Sequence, residues 1–174
     1  MPEVAHPSPA VRVDVVAAPA SALNAEHDLF APADQLCFAL YSTSRAMTAA
    51  YRPFLDSMAI TYPQYLALLA LWQRPGMTMK ELGEQLRLAY GTVSPLIQRL
   101  QARGLVQSVR SERDRRAVEL SSTQAGHALQ GRAKEMIESV LGAVGYPFET
   151  MIALRDQVNA LGERLATVAE REVG

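Results

Sequence analysis

Two groups of residues in this chain could do chemistry. The first is a sulfur. Cys37 is the one cysteine of the sequence, so neither an intrachain disulfide nor a zinc site built on several thiolates can form, and His6, His27 and His127 show no metal-ligand spacing. If Cys37 reacts, it does so as a thiol acting alone within its chain. The second is a cluster of cations. Between Gln98 and Arg116 stand Arg99, Arg103, Arg110, Arg113, Arg115 and Arg116 against Glu112 and Asp114, a local net charge of +4 in a chain whose total is −1. Such a concentration on an otherwise acidic chain suits phosphate oxygens, although a solvated arginine-rich loop would look the same by charge alone. Its place in the fold has to decide.

The elements that position these groups can be read from periodicity and capping. With 174 residues, 49% hydrophobic and 20% charged, the chain has material for one globular core and is not a disordered polymer. Arg52, Asp56, Arg74 and Lys80 interrupt the richest apolar stretches, and Asp14 interrupts the first one, so no membrane span or secretory leader is expected and the protein reads as cytoplasmic. Residues 1–28, broken by Pro2, Pro7, Pro9 and Pro19, read as a flexible extension ahead of a domain at 29–174.

A first helix is expected over about 34–52, with Asp34 as N-cap, Leu36, Leu40, Met47 and Tyr51 on one face, and Pro53 ending or bending it. Cys37 then falls in the first turn, where unpaired N–H groups and the helix dipole favour a thiolate, making it a candidate nucleophile. Thr61-Tyr62-Pro63-Gln64 fits a capping box opening a buried helix that stops at Pro75-Gly76. Thr78-Met79-Lys80-Glu81 fits a second box opening a helix of about two turns. From Ala89 to Leu100, Val93, Leu96, Ile97 and Leu100 make a dry face opposite Tyr90, Thr92, Ser94 and Gln98, and Gly104 ends the segment. Residues 105–110 and 117–120 read as a β-hairpin with a basic tip at 111–116. Thr123 is expected to cap a long helix broken near Gly145-Tyr146-Pro147. The last helix carries Met151, Leu154, Val158, Leu161, Leu165 and Val168 at seam spacing, compatible equally with packing inside one subunit and with a partner chain.

Two short helices followed by a hairpin with an arginine-rich tip make a winged helix-turn-helix. The fold class is therefore mainly α with a small β-hairpin wing, the DNA-binding part at about 62–121 and helical dimerisation regions at about 34–52 and 123–170. The second short helix suits the major groove, placing Tyr90, Thr92, Ser94 and Gln98 near phosphates or base edges, with Arg110, Arg113, Arg115 and Arg116 supplying attraction along the wing. Thr and Ser near a helix start can also be plain caps. Two copies about a two-fold axis would read a pseudo-palindromic operator on double-stranded DNA.

With these motifs in hand, the sequence resembles the MarR family of bacterial transcriptional regulators, and within it the organic-hydroperoxide-responsive OhrR-type repressors of the one-cysteine class. The resemblance covers about Asp34 to Ala169. It is carried by Gln35-Leu36-Cys37-Phe38-Ala39-Leu40-Tyr41-Ser42, Thr61-Tyr62-Pro63-Gln64-Tyr65, Gly91-Thr92-Val93-Ser94-Pro95-Leu96 and Asp114-Arg115-Arg116 at the wing, where Asp114 is the structuring residue. It implies a homodimer that represses a peroxide-detoxification gene and leaves DNA when Cys37 is oxidised by an organic hydroperoxide, with Tyr51 and Tyr62 matching two tyrosines that hydrogen-bond the cysteine. Cys37 and Tyr51 are 14 residues apart, about 21 Å along one straight helix at ~1.5 Å per residue, so an antiparallel crossing of two first helices would be needed to bring them together. The subgroup's usual Asp-Ser ahead of the recognition helix is replaced by Ala89-Tyr90, Arg115 stands where an acid is frequent, and the lead segment is long.

With no second cysteine, a sulfenic acid at Cys37 would be capped by a low-molecular-weight thiol, cyclise, or oxidise irreversibly. No metal, no cofactor and no enzymatic turnover are expected. The competing readings are a MarR-type repressor of a small aromatic ligand with Cys37 incidental, a thiol peroxidase using Cys37, and a purely structural dimer. The commonest fate of a free cysteine is a small buried hydrophobe, and for Tyr51 and Tyr62 it is ordinary packing.

Overall fold

Proline and a backward-bonding carboxylate set the first of the described turns. A computed structural model describes residues 28, 30–110 and 118–172, which divide into two compact units between Arg45 and Ala46. In the first unit a 3-10 turn, Pro32–Asp34, precedes helix α1, Leu36–Ser57. Pro32 pre-sets φ for the turn, and the Asp34 carboxylate accepts from the Asp28 N–H at 2.8 Å. Asp34 is therefore not the N-cap expected from the sequence. Gln35, extended at φ −89° and ψ 121°, takes that place, its carbonyl accepting the Ala39 N–H at 3.0 Å. Cys37 still lies in the first turn. Here Leu36, Phe38 and Tyr41 are exposed, and Arg45 stands over the Tyr41 ring while donating to its hydroxyl at 3.0 Å.

The second unit opens inside α1, which runs through Pro53 to Ser57 instead of ending near 52. Proline removes one helical N–H bond, but the turn beyond it carries the buried Leu55, and Met58 follows it into the core. The carbonyls left over at the end of α1 are taken by two guanidinium groups. Arg132 donates to Ser57 O at 3.0 Å and to Ser57 Oγ at 2.8 Å. Arg103 donates to Ala59 O, where φ is +53°, and to Met58 O at 3.2 Å.

Both capping boxes form. Thr61 and Gln64 open α2 (Tyr62–Gln73), and Thr78 and Glu81 open α3 (Met79–Leu86), each with reciprocal side-chain to backbone bonds. Helix α4 spans Tyr90–Ala102. Strand β1 (Met77–Thr78) joins the hairpin of β2 (Val106–Arg110) and β3 (Val118–Ser122) in an antiparallel sheet of order β1-β3-β2, with Met77 opposite Leu120 and Ser108 opposite Leu120 on the other side. The sequence pointed to the hairpin alone. A strand this short has no readable alternation, and it doubles as the approach to the α3 cap. The core gathers Leu68, Leu71, Met77, Leu82, Ile97, Leu100, Leu120 and Met136.

Thr123 does cap a helix, its Oγ1 accepting the Gly126 N–H at 3.1 Å, but the helix is the single turn α5 (Gln124–His127). The long helix, α6 (Gln130–Val144), starts afresh. The chain has to pass Gly126 against the Leu105 carbonyl, then turn to lay Ala133 and Met136 on the core. Gly145, at φ +73°, ends α6, and α7 (Phe148–Glu172) follows.

Candidate functional site

The α3–α4 pair is positioned by a tight turn. Leu88 N–H donates to Gly83 O at 2.8 Å, and a Cβ on Gly83 would stand 2.9 Å from the Leu88 carbonyl oxygen, so glycine is required for the approach. Helix α4 then buries Val93, Leu96, Ile97 and Leu100, as its apolar spacing predicted. On its other face Tyr90 is 66% exposed, Thr92 and Gln98 are exposed, and Ser94 is half-buried. Ala89 occupies the N-cap with no side-chain bond, as expected from the missing capping carboxylate. Arg110 is exposed at the end of β2, with Val118 as its register partner. Arg113, Asp114, Arg115 and Arg116 lie outside the described residues.

The tyrosines of α1 and α2 form a cluster. Tyr51 and Tyr62 are stacked, with ring centroids 5.8 Å apart and planes at 22°. A third ring, Tyr65, lies 6.3 Å from Tyr51 and 6.1 Å from Tyr62 and is buried beneath them. Tyr65 is not among the site residues that the sequence pointed to. Its separation of three from Tyr62 on one helix was the available signal, since such pairs are surface neighbours. Burial, and then Tyr51 and Tyr62, push the Tyr65 phenol up to about 12, and burial followed by Tyr62 raises Tyr51. Both are therefore neutral near pH 7 and able to donate to an anion.

The raised Tyr65 phenol has a consequence for stability. An unfolded chain gives up the proton near pH 10 while the native chain keeps it, so the stabilisation is complete below about pH 10 and is lost as pH rises through about 12. Denaturant midpoints are expected to fall over that window, and to fall less in Tyr65→Phe than in the parent. Parallel curves for the two proteins would contradict this origin.

Cys37 is exposed, with Gln35 Oε1 3.9 Å from its Sγ. It is not the buried small hydrophobe that a lone cysteine most often is. On α7, Leu154, Val158, Leu165 and Val168 are all at least 41% exposed, so the seam is not filled by packing inside one chain. A groove of about 680 Å³ beside α2 and α6 is lined by Leu69, Trp72, Ile137, Leu141 and Phe148, and Trp72 Nε1 is a buried donor without a partner among the described residues. It offers room for a small apolar ligand.

Comparison with known proteins places this geometry. Residues 60–118, from the residue before the α2 cap to the start of β3, match the model of the MarR family. The organic hydroperoxide resistance transcriptional regulator of Bacillus subtilis is 43% identical over 132 residues, covering 76% of this chain and 90% of that protein. The chain belongs to the MarR family of transcriptional regulators. Another relative, the regulator TtmR of Methylorubrum extorquens, is 39% identical over 131 residues, 75% of this chain and 67% of that one. Among solved structures, AbfR of Staphylococcus epidermidis superposes with a TM-score of 0.66 at 31% identity, covering 77% of this chain and 93% of that one. Overoxidized AbfR bound to DNA gives a TM-score of 0.62 at 33% identity over 75% and 93% of the two chains. In this MarR-family chain, then, α3 and α4 are the helix-turn-helix, and β2 and β3 are the wing strands. No described helix is long and apolar enough to cross a membrane.

Proposed function

We propose that this MarR-family regulator is a cytoplasmic homodimeric repressor that releases its operator when an organic hydroperoxide oxidises Cys37. The observation that carries the reading is the exposed position of the chain's one cysteine, in the first turn of α1, in a protein 43% identical to an organic hydroperoxide resistance regulator. The thiolate attacks the outer peroxide oxygen. An S–O bond forms, the O–O bond breaks, and the organic alkoxide leaves and takes up a proton to become the alcohol. Cys37 is left as a sulfenic acid, which a low-molecular-weight thiol converts to a mixed disulfide with loss of water. Tyr51 and Tyr62 of the second copy serve as hydrogen-bond donors to the thiolate, a role that the stacking of these two phenols supports. The exposed apolar seam of α7, with the exposed start of α1, supports pairing of two copies.

In this reading α4 enters the major groove with Tyr90, Thr92, Ser94 and Gln98 toward the DNA. Arg110, with Arg113, Arg115 and Arg116, supplies attraction to the DNA backbone. Oxidation removes an anion from the tyrosine donors and adds bulk, and the two winged parts move off their half-site spacing.

The test is a gel shift on the DNA upstream of the protein's own gene, with and without cumene hydroperoxide, followed by intact mass. Release accompanied by a mass gain on the Cys37 peptide is expected. Sustained peroxide consumption over many equivalents per chain in the presence of a small thiol would indicate a thiol peroxidase instead. Release by a small aromatic acid with Cys37 unchanged would shift the sensor to the groove beside Trp72.

A further inference from the structure

We infer that Tyr65 is a positioning residue for the thiol sensor, its ring forming the buried floor on which Tyr51 and Tyr62 are held with their hydroxyls directed at one anion. The inference rests on the reading of Cys37 as the oxidisable group and extends it to a residue beyond the two expected phenols.

Tyr51 belongs to α1 and Tyr62 to the first turn of α2, and both are only partly buried. A half-exposed tyrosine has rotamers that swing its ring into water. What opposes that swing here is contact with other rings. Each of the two touches the other and also Tyr65, at 5.8, 6.3 and 6.1 Å between centroids. Tyr65 is the fixed member, only 3% exposed and part of the main core with Leu68 and Leu71. Aromatic pairs at such distances contribute beyond area burial, so the third ring biases both neighbours toward a single arrangement. Two donors aimed at one sulfur strengthen its ionised form only while both stay in place, and hydrogen bonds weaken steeply with misdirection.

A residue of the core could equally be filler, and the test has to separate packing from positioning. Full-length dimer is treated with iodoacetamide at neutral pH and the Cys37 alkylation rate is followed by mass. Operator affinity of the reduced protein and its melting temperature are read in parallel. Tyr65→Phe keeps the ring and is expected to alkylate within about twofold of the parent. Tyr65→Leu removes the floor and is expected to slow alkylation about tenfold, with operator binding by the reduced protein retained, since misplacement of about 1 Å at a reacting group costs up to about 100-fold. Tyr65→Met, which fills more of the volume, replaces the leucine variant should that one not fold.

A folded Tyr65→Leu or Tyr65→Met protein that alkylates as fast as the parent overturns the inference. So does a Tyr65→Phe protein as slow as Tyr65→Leu, because the hydroxyl and not the stack would then be acting. Tyr51→Phe and Tyr62→Phe serve as the reference. Slowing in these two without slowing in Tyr65→Leu rejects the positioning role alone. No slowing in either means that the phenols do not serve the thiol, and the sensor reading fails at its root.

Discussion

Cys37→Ser protein is expected to bind its operator as the parent does when reduced, and to stay bound after an organic hydroperoxide is added. Serine keeps the size and the hydrogen-bonding capacity of the side chain, so the exposed first turn of α1 is little disturbed. What it lacks is the nucleophilic sulfur, the atom able to climb the oxidation ladder. Coupling free energies between a sensor and a distant binding face run at about 1–3 kcal/mol, roughly 5- to 150-fold in affinity. The parent should lose operator affinity by a factor in that range on oxidation, and Cys37→Ser by less than about twofold. Titration of labelled operator before and after peroxide measures both. A serine protein that is released as readily as the parent would move the oxidant-sensitive group elsewhere, with the methionines next in line.

The largest change in stability from a single methyl group is expected at Gly126. A Cβ there would stand 2.2 Å from the Leu105 carbonyl oxygen and 3.2 Å from its carbon, with Ser122 Cβ at 3.4 Å. The nearest obstacle is the Leu105 backbone itself, which has no flexible end to yield. The same carbonyl accepts the Thr123 N–H at 3.0 Å, and Thr123 Oγ1 bonds both Gly104 O and Gly126 N–H. Any retreat of α5 therefore loosens the joint between the hairpin base and the α5 cap. Overpacking costs of about 1–3 kcal/mol combine with a weakened bond of about 1 kcal/mol, so Gly126→Ala should cost about 2–4 kcal/mol and lower the melting temperature by about 5–15 °C. Gly131 is the control. It lies in α6 with nothing near its missing Cβ, and Gly131→Ala should stabilise by about 0.5–1 kcal/mol. Calorimetry on the pair reads opposite signs, and equal effects would refute the contact argument.

Local rules made much of this fold readable in advance. Thr61 with Gln64 and Thr78 with Glu81 announce their helices because the bonds they make lie within one turn. The dry face of α4 was equally plain, since four apolar residues at helical spacing have one way to be buried. What escaped the sequence was decided by partners far along the chain. Met77 and Thr78 become a strand only because Leu120 and Glu119 stand beside them. The helix after Thr123 breaks because Gly126 has to clear Leu105, and α1 survives Pro53 because Leu55 has a core to enter. Asp34 had an earlier partner in Asp28 that competed with capping. At the candidate site, motif likeness singled out Cys37, which is exposed, and Tyr51 and Tyr62, whose rings stack. Tyr65 was overlooked: its spacing from Tyr62 on α2 was the signal, but its contact with Tyr51 of α1 is visible only in the fold.

The two guanidinium groups at the end of α1 bear on how motion travels. Arg103 is the residue at which α4 terminates, and its side chain grips the chain leaving α1. Hydrophobic packing lets helices slide over one another by small steps, whereas a fork of charge-assisted bonds is directional and gives little before it parts. The tail of α1 and the end of α4 are thereby tied by directional bonds, and Arg132 pins the same joint to α6.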